Sequence, residues 1–161
     1  MPLILAGMKL TPARLNNISP GWRTEVTVDQ PNTANNNTPL FNVTELVMAV
    51  DSGTVYRFHL YLKYTATIVA NFRMGLTGPS GASLNDWMFF ATNPTSGQPS
   101  GGAVSGLNAK GTGTPAVFVG IGTITTGGSS GNIQVQAAKN TAEASTLTIV
   151  KGSYMELEEI V

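Results

Sequence analysis

His59 is the single histidine of the chain and cysteine is absent, so the supply of reactive side chains already limits the chemistry. A zinc site would need carboxylates gathered with that one imidazole, and the sequence clusters none. Disulfides and thiolate sites are excluded together. A triad built on His59 fares no better. The residue falls in mid-strand between the cations Arg57 and Lys63, a poor seat for a general base, and no Gly-x-Ser-x-Gly elbow supplies a nucleophile. Glu156 and Glu158 share a strand face two residues apart, and paired carboxylates can hydrolyse glycosides. On a strand near the end of the chain they read instead as a solvated edge that deters edge-to-edge pairing. The run Gly106-Leu-Asn-Ala-Lys110-Gly-Thr-Gly113 misses the spacing of a phosphate loop, and Gly120-Ile-Gly122 lacks the third glycine of a dinucleotide turn. Trp22, Tyr61, Trp87, Phe89 and Phe90 could line a sugar-binding face, but their alternation within strands favours core packing. No enzyme activity, metal or cofactor is expected.

The elements that would position these side chains are nearly all strands. Thr54–Thr65 is the clearest, with Tyr56, Phe58, Leu60, Leu62 and Tyr64 facing one way and Val55, Arg57, His59, Tyr61 and Lys63 the other. The last thirty residues read as three more, with Ile133, Val135 and Ala137, then Leu147 and Ile149, then Tyr154 or Met155 with Leu157, as the apolar positions. A Lys151-Gly152 turn precedes the last of them. Trp22–Asp29 alternates, Gln30–Pro39 reads as a polar loop, Leu40–Asp51 carries a strand or two, and Asp51-Ser-Gly53 marks a turn. Ala70–Thr77, Ala82–Ala91 and Thr114–Thr126 are further strands, separated by the Gly78–Gly81 turn and by Thr92–Gly113, a long surface loop dense in Gly, Pro and Ser. Eight to ten short strands make an antiparallel sandwich or barrel. Residues 1–21 differ: Thr11 fits an N-cap and Pro12 the first position of a single helical turn ending at Asn16-Asn17. That segment suits a lid over the sandwich's open end or an arm docked on a neighbouring subunit.

Composition narrows the partners. The chain has 161 residues, a natural length for one domain, with nine basic and nine acidic side chains and only 11% charged residues. So neutral a chain has no long-range field to draw in nucleic acid or an anionic membrane. No apolar run is long enough to span a bilayer. The first eight residues lack a basic start, are too short and meet Lys9 at once, so a signal peptide is not expected. Asn17, Asn36 and Asn42 open Asn-x-Ser/Thr triplets, which an Asn/Thr-rich chain produces by chance.

Two segments carry a likeness. Val55-Tyr-Arg-Phe-His-Leu-Tyr-Leu-Lys-Tyr-Thr-Ala-Thr67 with Ala70-Asn-Phe-Arg-Met-Gly-Leu-Thr-Gly-Pro-Ser-Gly-Ala82 resembles a module of structural proteins in tailed phages, particularly those of actinobacteria. That module closes with a Gln-x-Gln-x-Ala-x-Asn-Thr strand and a Gly-Ser-Tyr/Trp-x-x-Leu ending; here Gln134–Thr141 and Gly152–Leu157 stand in those places. Lys9–Asn16 is similar to the start of many phage virion proteins. The resemblance covers about residues 7–21 and 50–161, and none of its motifs is a catalytic signature.

The resemblance implies an all-β fold, an antiparallel jelly-roll-like β-sandwich over 22–161 with a short N-terminal helical arm over 1–21. It further implies a homotrimer on the virion surface, made in the host cytoplasm and bound to the major capsid protein as a capsid decoration protein, with no direct contact to nucleic acid or membrane. Leu10, Arg14 and Leu15 are the expected arm contacts to the shell, and the Arg57/His59/Tyr61 side of the long strand the expected trimer interface. A tail-fibre or receptor-binding tip that reads a host glycan through the 92–113 loop is the alternative. No coiled coil, collagen repeat or shaft stands ahead of the sandwich, which favours decoration. A hydrolase of host envelope polymer, the third class, would need carboxylates clustered in a groove.

Overall fold

The computed structural model describes residues 23–34, 40–91, 105–109 and 111–160. The expected helical arm with Leu10, Arg14 and Leu15, together with Trp22 and all of 92–104, lies outside the described residues. The strands are β1 (Arg23–Glu25), β2 (Gln30–Asn32), β3 (Phe41–Val50), β4 (Val55–Thr65), β5 (Phe72–Thr77) and β6 (Ser83–Ala91). They continue with β7 (Ser105–Ala109), β8 (Ala116–Thr125), β9 (Gly131–Ala138), β10 (Leu147–Ile149) and β11 (Tyr154–Ile160). All pairings are antiparallel. The smaller sheet runs β3-β9-β5-β7; the larger is organised on β4, with β8 and then β6 on one side and β11 and β10 sharing the other. β1 adds to β11 and β2 to β10.

Why two strands can share one edge of β4 is visible at Ser153. β11 pairs with residues 55–61 and β10 with 64–65, leaving a break opposite Leu62 and Lys63. The Lys151-Gly152 turn fills that break, Gly152 taking a φ of +80° that suits glycine. Buried Ser153 accepts the Lys63 amide at 2.9 Å and donates its hydroxyl to the Val150 carbonyl at 2.7 Å, so the interrupted ladder leaves no orphan there.

The inward row of β4 is as its period requires: Tyr56, Phe58, Leu60, Leu62 and Tyr64 are all buried. Phe72 of the smaller sheet stacks on Tyr64 with centroids 4.1 Å apart and meets Phe118 of β8 edge-on at 6.0 Å. Both sheets therefore feed one core. In the last thirty residues the alternation holds, and Met155 rather than Tyr154 takes the inward place.

Three segments depart from the sequence reading. Within the described part of the alternating Trp22–Asp29 run only Arg23–Glu25 is strand, and Val28 is exposed. The cause is Glu45 of β3, whose carboxylate takes the Thr27 amide at 3.0 Å, the Thr27 hydroxyl and the Gln30 side-chain amide at 3.0 Å, bending the chain away from the β1 ladder. Past that bend Gln30–Asn32 is a strand rather than loop, because β10 offers an unpaired edge. Ser105–Ala109, expected within the long loop, forms β7 on the outer edge of β5. Leu40–Asp51 resolves as one strand with a bulge between Asn42 and Val47. Gln134 fills that bulge, its amide reaching the Val43 and Leu46 carbonyls at 2.9 and 3.0 Å. The described residues hold eleven strands, one more than the upper expectation.

Candidate assembly surface

Register carries the outward side chains of the larger sheet into rows. His59 lies opposite Glu156 on β11 and Ile121 on β8, and Ile121 lies opposite Met88 on β6. Tyr61 lies opposite Tyr154 and Val119, and Val119 opposite Phe90. The face thus has two halves of different character.

Over β4, β11 and β1 it is charged and aromatic. Arg57 pairs with Glu158 at 2.8 Å, and Arg23 pairs with Glu25 at 2.9 Å and Glu156 at 3.5 Å. His59 Nδ1 stands 3.4 Å from Glu156 and meets the Tyr154 ring edge-on at 5.4 Å. These pairs are solvent-facing, and each is worth at most about 1 kcal/mol. Tyr154 stacks on Tyr61 at 5.3 Å with planes 20° apart, and the Arg23 guanidinium lies 3.8 Å over its ring. Because these rings stack from strand to strand, their faces are used along the sheet and their edges point outward.

Over β8 and β6 the surface is apolar. Phe90 is 58% exposed, Met88 44% and Ile121 41%. What allows this is the layer beneath. Gly120 and Gly122 occupy inward positions of β8 opposite Leu60 and Phe58. A Cβ on Gly122 would meet the Trp87 Cβ at 2.3 Å, so its absence lets β6 lie close and bury Trp87. Phe89 packs on the core, stacked on Phe118 at 5.4 Å. Consecutive Phe89 and Phe90 consequently face opposite sides of the sheet.

The structure places Arg57, His59 and Tyr61 on one face, Arg57 exposed and the other two half-buried. Two expectations are corrected. His59 does not stand simply between cations, since Glu158 engages Arg57 and Glu156 lies beside the imidazole. Glu156 does not lie on a free edge, because β1 pairs with β11 at residues 154–156, whereas Glu158, past the end of β1, pairs only with β4 among the described residues and keeps the expected solvated edge. Sequence reasoning treated Phe90 as core and did not mark Met88 or Ile121. The signal was present in the doublet Phe89-Phe90, only one of which an alternating strand can bury. The smaller sheet's outer face contrasts with this one: Gln134 and Gln136 engage carbonyl and amide acceptors of β3 there.

No protein-family model matches the chain, and no curated protein matches it as a relative.

Proposed function

We propose that the chain is a non-enzymatic virion structural protein, a jelly-roll-like sandwich that trimerises and decorates a tailed-phage head by binding the major capsid protein between capsomers. The observation that carries the reading is the outer face of the larger sheet, where exposed Phe90, Met88 and Ile121 adjoin the Arg57/His59/Tyr61 side. A patch of this kind beside a polar, ion-paired margin has the make-up of a subunit interface, with an apolar centre and a polar rim. The phage setting rests on the motif resemblance. The near absence of net charge favours protein partners over DNA.

The mechanism is physical. Each copy buries its apolar half against a neighbour, at about 1 kcal/mol for each of Phe90, Met88 and Ile121. The 1–21 arm, through Leu10, Arg14 and Leu15, grips the shell. Symmetry multiplies individually weak contacts into avidity that holds capsomers against the pressure of packaged DNA. The test is sedimentation of the purified protein alone and with empty expanded heads. The expected result is a trimer that co-sediments with the heads, a Phe90→Asp/Ile121→Asp variant that falls to monomer, and an Arg14→Ala/Leu15→Ala variant that remains trimeric but binds heads weakly. A wild-type monomer that ignores heads refutes the proposal; a trimer that ignores heads but binds host cells moves the protein to the tail.

A further inference from the structure

Ile68 and Val69 form the tip of the turn between β4 and β5, 73% and 54% exposed. Turn tips ordinarily carry Gly, Asn, Asp or Ser; two adjacent β-branched aliphatics contribute nothing to forming this one. Yet the base of the turn is held from every side. The Asn71 amide donates to the Thr67 carbonyl at 3.1 Å and the Ala70 amide to the Thr67 hydroxyl oxygen at 3.0 Å. The amides of Asn140 and Thr141 both donate to the Ala70 carbonyl at 2.9 Å. Asn71, at a φ of +52°, accepts the Gly111 amide at 3.2 Å. Thr67 donates its hydroxyl to the Glu143 carboxylate, which also accepts the Ser145 hydroxyl at 3.0 Å. Buried Lys139 ties the same loop by donating to the Glu143 and Ser145 carbonyls. A rigid base under an apolar tip lowers the ordering cost of docking, which is where preorganised contacts gain affinity.

At the other end of β5 lies a receptor of matching character. A cleft of about 200 Å³ opens at the Gly78–Gly81 turn, lined chiefly by Leu76, Pro79, Ala82, Leu84, Ile124 and Ile133. Its lining carries no charge, and an apolar cavity of about 150 Å³ already holds a benzene ring. A branched aliphatic side chain is within its capacity. Among the described residues the charged groups of the tip's base are Glu143 and buried Lys139, and neither offers an exposed cation to an anionic lipid surface.

We propose that Ile68 and Val69 are a prebuilt knob that seats in the cleft at the Gly78–Gly81 turn of a second copy of this chain. Knob and cleft are different surfaces at opposite ends of β5, so the pair closes either as a two-fold dimer holding two such contacts or as a head-to-tail ring. This contact is separate from the sheet face assigned above and does not rest on the decoration reading.

The absence of native cysteine makes the test direct. Full-length Val69→Cys and Ala82→Cys proteins are mixed and oxidised, with Val69→Cys and Ala144→Cys, exposed at the end of β5 away from the cleft, as the control pair. The expected result is a mixed disulfide between Val69→Cys and Ala82→Cys well above the control, falling about tenfold when Ile68→Ser is added to the first partner. Sedimentation of the cysteine-free Ile68→Ser/Val69→Ser protein should also show loss of the largest species that the wild type forms as its concentration rises. A mixed disulfide no greater than the control overturns the proposal. So does a double variant that sediments like wild type, or one that differs only by losing attachment to neutral phosphatidylcholine vesicles.

Discussion

Replacing Gly122 by alanine tests the packing that exposes the apolar row. The added methyl would lie 2.3 Å from the Trp87 Cβ, and 2.8 Å from both the Trp87 Cα and a ring carbon of Phe58. Carbon atoms settle at about 3.5–4.0 Å, so a gap of more than 1 Å must open. Phe58 is wedged in the core and cannot give way, which leaves β6 to move where its register to β8 already shifts, between Asn85 and Met88. Overpacking ordinarily costs about 1–3 kcal/mol, and displacement of backbone places this site at the upper end. Loss of the glycine's freedom in the unfolded chain returns about 0.4–1 kcal/mol. The net loss is about 2 kcal/mol. Urea titration followed by tryptophan fluorescence should show it as a lower midpoint with an unchanged slope. Gly128→Ala is the control, since nothing lies within 4 Å of a Cβ there. A Gly122→Ala protein within about 0.5 kcal/mol of wild type would show that β6 does not press on β8 as described.

Two further predictions concern pH. Glu143 and Glu45 hold their carboxyls below the usual carboxylate range, chiefly because the Thr67 and Thr27 hydroxyls respectively donate to the charged form. Their stabilisation is complete above the ordinary value of 4.5 and is lost as pH falls through the lowered folded values. Thermal melts from neutral to acid pH should fall less steeply for a Glu45→Gln/Glu143→Gln protein than for wild type; equal slopes reject the cause. At the alkaline end, burial pushes the Tyr64 hydroxyl up to about 12 from its ordinary 10. Its contribution is complete below the ordinary value and is lost as pH climbs toward the folded one, and Tyr64→Phe should blunt that loss. Tyrosinate absorbance showing Tyr64 ionising in the folded protein near the ordinary value would refute it.

The strands most legible in the sequence were those whose neighbours lie on both sides and whose inner face meets the core. β4 and β9 show their inward residues by period alone, because burial on one face is all their sequences have to encode. β2 and β7 were illegible for the opposite reason. Gln30–Asn32 is a strand only because β10 ends the sheet with a free edge and Glu45 steers the chain there, both set by residues far along the sequence. The covering of Glu156 was hidden because β1 is three residues long and carries no alternation strong enough to announce its pairing, while Glu158, beyond it, keeps its edge. For the candidate surface, alternation gave the Arg57/His59/Tyr61 face, while the apolar half depended on knowing that β6 stands next to β8. The Ile68-Val69 tip was equally hidden, since only the hydrogen bonds beneath it separate a held knob from two stray aliphatics.

The pairing of β1 and β2 with β11 and β10 ties residue 23 to residue 156 and residue 30 to residue 149. On a ribosome, β4 would emerge with one flank open, exposing a row of unpaired amides until the residues of β10 and β11 arrive. Every copy therefore passes through a state with an open, strand-rich edge next to Val55–Thr65, the longest of the described strands. Such an edge invites pairing with another unfinished chain. Loop closure over these separations is slow, so the yield of soluble protein should depend on synthesis rate and temperature more than on final stability. Chains made slowly and in the cold would finish the larger sheet with their own strands.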